Sequence, residues 1–140
     1  FYQSVFPDSV PGYFNHYAPG EAQDPRAKTN YAEMTLLGFQ FVAMDHGFGG
    51  EEPFNEAFSF MVLCRDQAEI DYYWEKLSAV PEAEQCGWLK DKFGLSWQIV
   101  PEQLSEMLSS ATPEEAQRIT EAFLSMQKLD IKALEKARLG

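Results

Sequence analysis

Few side chains in this sequence can do acid–base or nucleophilic chemistry at neutral pH. The two imidazoles are His16 and His46, and the two thiols are Cys64 and Cys86. A histidine can act as a general base, but both histidines adjoin turn segments, which favours a surface position. The thiols lack the spacing of a zinc site or a disulfide framework, and we expect both to be buried in strands. The spacing of these residues predicts no catalytic triad or dyad.

A carboxylate on a predicted strand is a second kind of candidate. Residues 29–38 (TNYAEMTLLG) and 39–45 (FQFVAMD) form two β segments separated by a glycine, which is typical of an antiparallel hairpin. Alternation places Tyr31, Glu33 and Thr35 on one face. Glu33 is then either a buried acid that faces a cup, with a pKa raised by desolvation, or a solvated carboxylate on an edge strand.

The chain from residue 58 to 78 predicts a strand and an amphipathic helix. FSFMVLC is a β segment, and Asp66 after it is a candidate N-cap. Apolar residues at positions i, i+3, i+4 and i+7 predict a helix from about Gln67 to Ser78. The glycine-rich segment HGFGG before this strand does not predict a phosphate site, because a phosphate loop needs a helix directly after its glycines.

The aromatic stretch EQCGWLKDKFGLSWQIVP, residues 84–101, alternates like two strands around a turn. If Gln98 faces a cup, then Trp97 and Ile99 lie on the opposite side, under helices, and belong to the core. Cys86 and Trp88 are two residues apart and would project to the same face, which could be either side of the sheet. An inward amide on a buried strand needs a hydrogen-bond partner from protein, water or ligand.

The last forty residues are predicted to be helical. A short helix follows Pro101, a capping box with a proline at the first helical position marks a second helix at Thr112, and Asp130 begins a third. The element order is α, β, β, β before residue 50 and β, α, β, β after it, which suggests an internal repeat. Residues 1–6 (FYQSVF) read as the last turn of a helix, so we expect the chain to be truncated there.

Composition excludes several classes of partner. The formal net charge is −11, which repels phosphate backbones and anionic lipids, and no basic stripe offsets it. No apolar run approaches the ~20 residues of a membrane span, and no secretory segment opens the chain. We therefore expect a cytoplasmic protein that binds neither nucleic acid nor membrane.

Three segments carry a resemblance to a known family. FNEAFSFMVLCRDQAEIDYYWEKLS, EAEQCGWLKDKFGLSWQIVP and the helical tail resemble the PhnB-like branch of the vicinal oxygen chelate superfamily, the fold of glyoxalases, bleomycin-resistance proteins and extradiol dioxygenases. Members of this branch are often labelled demethylubiquinone methyltransferase-like. The resemblance covers nearly the whole chain.

The resemblance implies an α+β fold of paired βαβββ modules. Their strands would form a curved, mainly antiparallel sheet around a cup, usually in a homodimer. Residues 1–140 would be a single domain, with a first module over 1–50 that lacks its first strand, a second module over 51–101 and the helical tail over 102–140.

The resemblance also locates the cup. Metal-dependent relatives place ligands on the first and last strands of each module. Here Phe60 stands where relatives use a histidine, Gln98 stands where they use a glutamate, and Asp45 lies near a third position. A phenyl ring cannot coordinate a metal and an amide is a poor substitute for a carboxylate, so we expect no metal and no other cofactor.

Three function classes follow. The first is a protein that binds a small organic ligand in a cup lined by Tyr31, Glu33, Asp45, Phe60 and Gln98. The second is a metal-dependent enzyme of lyase, isomerase or dioxygenase type, which the missing ligands disfavour. The third is a methyltransferase, against which stands the absence of a glycine-rich strand-to-helix turn for adenosylmethionine.

Overall fold

The computed structural model of this chain describes residues 1–50 and 53–140. The chain divides into two compact units, Phe1–Glu52 (unit 1) and Pro53–Gly140 (unit 2). The predicted start of the second module at residue 51 lies outside the described residues. Unit 1 has the order α, β, β, β, and unit 2 has β, α, β, β followed by three helices. The α+β class, the element order and the helical tail are therefore confirmed.

Unit 1 is a three-stranded antiparallel sheet with a short helix. Helix α1 spans Tyr2–Val5, and the strands are β1 (Val10–His16), β2 (Thr29–Leu36) and β3 (Phe39–Ala43), in the spatial order β1-β2-β3. The predicted hairpin is present as β2 and β3.

The β2–β3 turn is a two-residue turn in which both residues have positive φ. Leu37 has φ 47° and Gly38 has φ 82° between the paired residues Leu36 and Phe39. A two-residue turn of this kind follows the right-handed twist of the flanking strands. Glycine adopts positive φ without strain, so the predicted glycine separator has a clear physical role.

Unit 1 covers its apolar side chains poorly. Val5, Phe6, Ala32 and Leu36 are its buried hydrophobic side chains, whereas every residue of β1 is exposed. Helix α1 has only four residues, about one turn, which is too short to cover a sheet face.

Unit 2 begins with a mixed sheet and a helix. Its first elements are β4 (Ser59–Cys64), α2 (Gln67–Leu77), a short 3-10 helix (Pro81–Ala83), β5 (Trp88–Lys90) and β6 (Ser96–Pro101). Strand β6 lies between β4, which is parallel to it, and β5, which is antiparallel. Parallel neighbours need a crossover connection, and α2 lies within that connection. Among the described residues the strands thus form two three-stranded sheets rather than one continuous curved sheet.

Local capping signals place α2 where the sequence predicts it. The Asp66 side chain accepts a hydrogen bond from the backbone N–H of Glu69, which satisfies a donor that the first helical turn cannot pair. Ile70, Tyr73 and Leu77 are buried on one side of the helix, as their spacing predicts.

The helical tail forms its own core cluster. Its helices are α3 (Gln103–Ser109), α4 (Pro113–Ser125) and α5 (Ile131–Leu139). The predicted capping box is present at Thr112 and Glu115, and Asp130 caps α5. The buried members of the cluster are Leu104, Met107, Ile119, Leu129 and Leu134. No helix in the described part of the chain is both long and apolar enough to cross a bilayer.

The two cysteines differ in environment. Cys64 is buried in β4, where burial raises the pKa of its thiol to about 12. Cys86 is half-exposed and lies outside any strand, with φ 52°, so the prediction of a buried strand thiol is wrong for Cys86. Cys86 and Gly87 both have positive φ and form the two-residue turn between the bridged residues Gln85 and Trp88. The Cys86 backbone N–H donates to the carbonyl of Met126 rather than to a strand.

Candidate ligand cavity and polar sheet faces

Tyr31 and Glu33 form a polar pair on one face of β2. The Tyr31 hydroxyl donates to Glu33 Oε1 at 3.0 Å, as expected for side chains two residues apart on one strand. The hydrogen bond to Glu33 raises the pKa of the Tyr31 hydroxyl above its usual value. The structure thus brings together two of the predicted site residues.

The second carboxylate oxygen of Glu33 lies at an irregularity of β1. The register between β1 and β2 shifts between Pro11 and Phe14, and the backbone N–H of Tyr13 within this bulge donates to Glu33 Oε2 at a long 3.4 Å. The rings of Tyr13 and Tyr31 are 6.0 Å apart. Glu33 therefore contacts the Tyr31 hydroxyl and the Tyr13 backbone, with one oxygen firmly hydrogen-bonded and the other only weakly.

Gly12 allows this close approach. A Cβ at position 12 would lie 2.6 Å from Glu33 Cβ and 3.2 Å from Glu33 Oε2, and the first distance is shorter than two carbon atoms tolerate. The bulge therefore needs glycine at this position because of space. A glycine inside a strand is a common sign of a bulge or a close approach.

A cavity of about 280 Å³ adjoins the bulge. Its walls come from α1, β1 and β2 and are mostly aromatic or apolar; they include Phe1, Tyr2, Pro11, Phe14 and Met34. Among its described lining residues Glu33 carries the only carboxylate, and none is Lys, Arg or His. An apolar cavity with few polar groups is the usual form of a small-molecule site.

Asp45 serves the backbone rather than this cavity. Its Oδ2 accepts the N–H groups of Lys28 at 2.8 Å and Thr29 at 2.7 Å. These two hydrogen bonds lower the pKa of the Asp45 carboxyl. Thr29 is four residues before Glu33 along β2, roughly 13 Å at strand spacing, and Asp45 does not line the cavity. The carboxylate fastens the end of the loop that precedes β2.

Gln98 forms a comparable polar pair in unit 2. Its side-chain Nε2 donates to Ser59 Oγ at 2.9 Å, so the amide has a protein partner. In the strand register Gln98 lies opposite Met61 of β4 and Trp88 of β5. Met61 is exposed and Trp88 is half-buried, so this face has a polar centre among apolar side chains.

Phe60 does not share that face. It pairs with Trp97 in the parallel register, and the two ring centroids are 5.3 Å apart. Directly opposite residues project to the same side of a sheet, and adjacent residues project to opposite sides. Trp97 and Ile99 are buried, which confirms the predicted core side, and Phe60 lies with them. The expectation that Phe60 and Gln98 point the same way is therefore wrong; Ser59 and Met61 share the side of Gln98.

Ser96 adds an unsatisfied group to the Gln98 face. Its side chain is 1% exposed, and its Oγ has no hydrogen-bond partner among the described residues. Ser96 pairs with Ser59 in β4 and with Lys90 in β5. The sequence analysis did not single out Ser59 and Ser96. Both flank apolar runs, and alternation along their strands places them on the same face as Met61 and Gln98.

The histidines lie at the surface. His16 ends β1, and its Nδ1 is 3.2 Å from the carbonyl oxygen of Lys28. His46 is exposed beside Phe48, with ring centroids 6.2 Å apart. Both positions agree with the surface interpretation. In residues 1–50 and 53–140, no group of three His, Cys, Asp or Glu side chains is arranged to hold a metal ion.

Comparison with known proteins identifies relatives by sequence and by fold. A family model described as 3-demethylubiquinone-9 3-methyltransferase matches residues 1–100. A solved structure from Bacillus cereus, described as a PhnB protein and a 3-demethylubiquinone-9 3-methyltransferase, is 28% identical with a TM-score of 0.58. The match covers 71% of this chain and 84% of that one.

A protein from Staphylococcus aureus is 26% identical over 72% of this chain and 81% of its own, with a TM-score of 0.26. The comparison with curated proteins gives no match.

Proposed function

The chain belongs to the 3-demethylubiquinone-9 3-methyltransferase family, and on that premise we propose that it binds a small organic ligand without a tightly held divalent metal. The proposed site is the unit 1 cavity, with Glu33 as its polar anchor and Tyr31 as the residue that positions the carboxylate. The observation that carries this proposal is the position of Glu33. Among the described lining residues it is the one carboxylate in a mostly apolar cavity of about 280 Å³, and the Tyr31 hydroxyl fixes one of its oxygens.

The geometry supports binding because the carboxylate is already positioned. A hydrogen bond from Tyr31 fixes the Glu33 side chain before a ligand arrives, so less conformational entropy is lost on binding. Aromatic and aliphatic walls supply contact area, and a single polar group fixes the orientation of the ligand. In unit 2, the Gln98 face is proposed as a further ligand contact surface, since it too combines a polar pair with apolar neighbours.

We assign the chain to the vicinal oxygen chelate superfamily as part of this proposal. Unit 2 supports it, because β4, α2 and β6 form a parallel crossover with β5 on the far side of β6. The residues at the positions of metal ligands do not favour metal chemistry. Phe60 offers no lone pair. The Gln98 amide donates a hydrogen bond to Ser59, and the Asp45 carboxylate accepts hydrogen bonds from two backbone amides.

Methyl transfer, which the family description names, finds little support in this chain. Residues 46–50 are rich in glycine, but residues 53–58 contain no helix and β4 begins at Ser59. A nucleotide or adenosyl group that binds at a strand-to-helix turn needs a helix directly after the glycines.

Dimer formation in the cytoplasm completes the proposal. Phe39, Val42 and Met44 are exposed on or beside the edge strand β3, and an exposed apolar edge is a site for association. A second copy of the chain would remove this surface from water. Light scattering should give twice the mass of the chain at micromolar concentrations, and a monomer mass throughout would contradict the dimer.

The binding proposal is tested by two-dimensional amide NMR. A library that contains cationic, neutral and anionic compounds is added to the protein, and the amide signals of Gly12 and Met34 are followed. At least one compound should shift both signals in a saturable way. If every binder shifts other residues only, or no compound binds, the proposed site is wrong.

The metal part of the proposal has its own test. Elemental analysis of the purified, dialysed protein should find zinc, nickel and iron far below one equivalent per chain. A stoichiometric metal that survives dialysis would favour the metal-dependent enzyme instead.

A further inference from the structure

We infer that the unit 1 cavity selects organic cations, specifically small ammonium compounds with an apolar or aromatic body. This inference rests on the proposed function and names the ligand class of the same site. The carboxylate of Glu33 and the aromatic walls are two observations that favour the same chemistry.

The ionisable side chains of the described cavity lining carry negative charge only. Among the described residues of the lining, Glu33 is the only carboxylate and none is Lys, Arg or His. The basic residues of unit 1 are Arg26 and Lys28, against seven acidic residues. Arg26 is paired with Asp24, Lys28 lies at the end of the loop before β2, where its backbone N–H donates to Asp45, and neither lines the cavity.

A carboxylate in an apolar wall is costly to desolvate unless a partner compensates it. An anionic ligand would increase that cost, and a neutral ligand would leave the charge without a counter-ion. An ammonium group provides both a positive charge and hydrogen-bond donors.

The available hydrogen-bonding capacity also favours a donor. An ionised carboxylate only accepts hydrogen bonds. Tyr31 occupies Glu33 Oε1 at 3.0 Å, while Oε2 has only the long 3.4 Å contact with the N–H of Tyr13. A ligand at this oxygen must therefore donate.

The aromatic walls strengthen the preference for a cation. Phe1, Tyr2 and Phe14 line the cavity, and the faces of such rings attract ammonium groups through their quadrupole, with an effect that grows when water is excluded. The apolar body of the ligand would contact Pro11 and Met34. The geometry thus combines a carboxylate and aromatic rings around one small volume.

The test uses three probes of similar size: 2-phenylethylammonium, 2-phenylethanol and 3-phenylpropanoate. Affinities are measured by calorimetry at neutral pH and low salt, and the amide signals of Gly12 and Met34 report where each probe binds. The ammonium should bind at least about tenfold more tightly than the alcohol, equivalent to about 1.4 kcal/mol, and the carboxylate should bind most weakly.

Two variants separate the local charge from the overall charge. Glu33→Gln keeps the shape and should make the ammonium and the alcohol bind about equally. Asp8→Asn removes one negative charge from unit 1 at a residue outside the lining, and asparagine tolerates the positive φ of 56° found there. Asp8→Asn should leave the ratio of affinities unchanged.

The outcomes distinguish the two levels of the proposal. If the alcohol or the carboxylate shifts Gly12 and Met34 and binds as tightly as the ammonium, the cation inference is overturned while the site stands. An equal loss of selectivity in Asp8→Asn also overturns it, because general charge would then explain the preference. If library compounds bind only at other residues, both the inference and the proposed site are wrong.

Discussion

The two sheets of this protein have the same number of strands but very different cover. In unit 2, α2 has 11 residues and buries Ile70, Tyr73 and Leu77, and alternate residues of β6 are fully buried. In unit 1, α1 has four residues and buries only Val5, while β1 is exposed throughout. The length of the helix thus decides how much of the sheet becomes core.

This difference in cover predicts that unit 2 supplies folding stability and that unit 1 supplies a binding surface. Unit 2 uses its apolar strand residues as core, so its unfolding free energy should depend on them. Unit 1 leaves apolar side chains and a cavity uncovered, and these surfaces are available to a ligand or a second chain. The following predictions test whether the two units differ in this way.

The largest effect is expected at Trp97. Its side chain is 4% exposed, contacts the Phe60 ring and donates through Nε1 to Asp91 Oδ2 at 2.9 Å. Trp97→Ala should lower the free energy of unfolding by about 3–5 kcal/mol because it leaves a cavity and removes one hydrogen bond to the buried Asp91 carboxylate. Chemical denaturation measures this, and Trp97→Phe, which keeps an aromatic ring, should lose less. A loss below about 1 kcal/mol for Trp97→Ala would contradict the assignment of this side to the core.

A moderate effect is expected at Asp45 in unit 1. Asp45→Ala removes the acceptor for two backbone N–H groups and should cost about 1–3 kcal/mol. Asp45→Asn keeps one oxygen and should cost less. Calorimetry at several pH values provides the measurement.

The pH dependence of that effect has a defined sign. Because the folded-state pKa of Asp45 is lowered from 3.8, its contribution is fully present above that value and is lost as pH falls through the folded-state pKa. The difference in stability between wild type and Asp45→Ala should therefore shrink in acid. A difference that grows below about pH 4 would show that the carboxylate is not held by these amides.

A smaller effect is expected at Gln98. Gln98→Leu removes a half-buried hydrogen bond to Ser59 and should cost about 1 kcal/mol or less, while any ligand on this face should bind more weakly. Thermal unfolding and a binding titration of the same samples separate the two effects. A loss of about 3 kcal/mol without a change in binding would make Gln98 a structural residue.

The smallest effect is expected at Phe39 of unit 1, which is 72% exposed. Phe39→Ser should change the free energy of unfolding of dilute protein by less than about 0.5 kcal/mol, as is usual for surface substitutions. Denaturation under the conditions used for Trp97→Ala allows a direct comparison. A loss of about 2 kcal/mol would mean that β3 is covered and that the contrast between the units is wrong.

The sequence predicted elements that depend on local signals. The Asp66 cap, the Thr112 capping box and the turn at Gly38 each need only a few adjacent residues. Gln98 and Trp97 were assigned to opposite sides correctly because polar and apolar residues alternate in β6.

The side of Phe60 was not predictable in the same way. Strand β4 reads SFMVLC, so five of its six residues are apolar and carry no alternation that would indicate the covered face. The docking of α2 decides it instead, and that contact is not local in sequence.

The cavity was also beyond sequence reasoning, because it combines α1, the bulge in β1 and the middle of β2. The bulge shifts the register, so alternation along β1 does not identify the residues that face Glu33. The Pro11-Gly12 pair inside the strand was the one local signal of an irregularity.

We expect a small molecule to bind in unit 1 against Glu33. A crystal structure of the protein with the tightest library compound would show this contact. We predict that the compound contacts Phe14 and Met34 and places a hydrogen-bond donor about 3 Å from a carboxylate oxygen of Glu33. A compound bound elsewhere, with the cavity beside Gly12 empty, would contradict it.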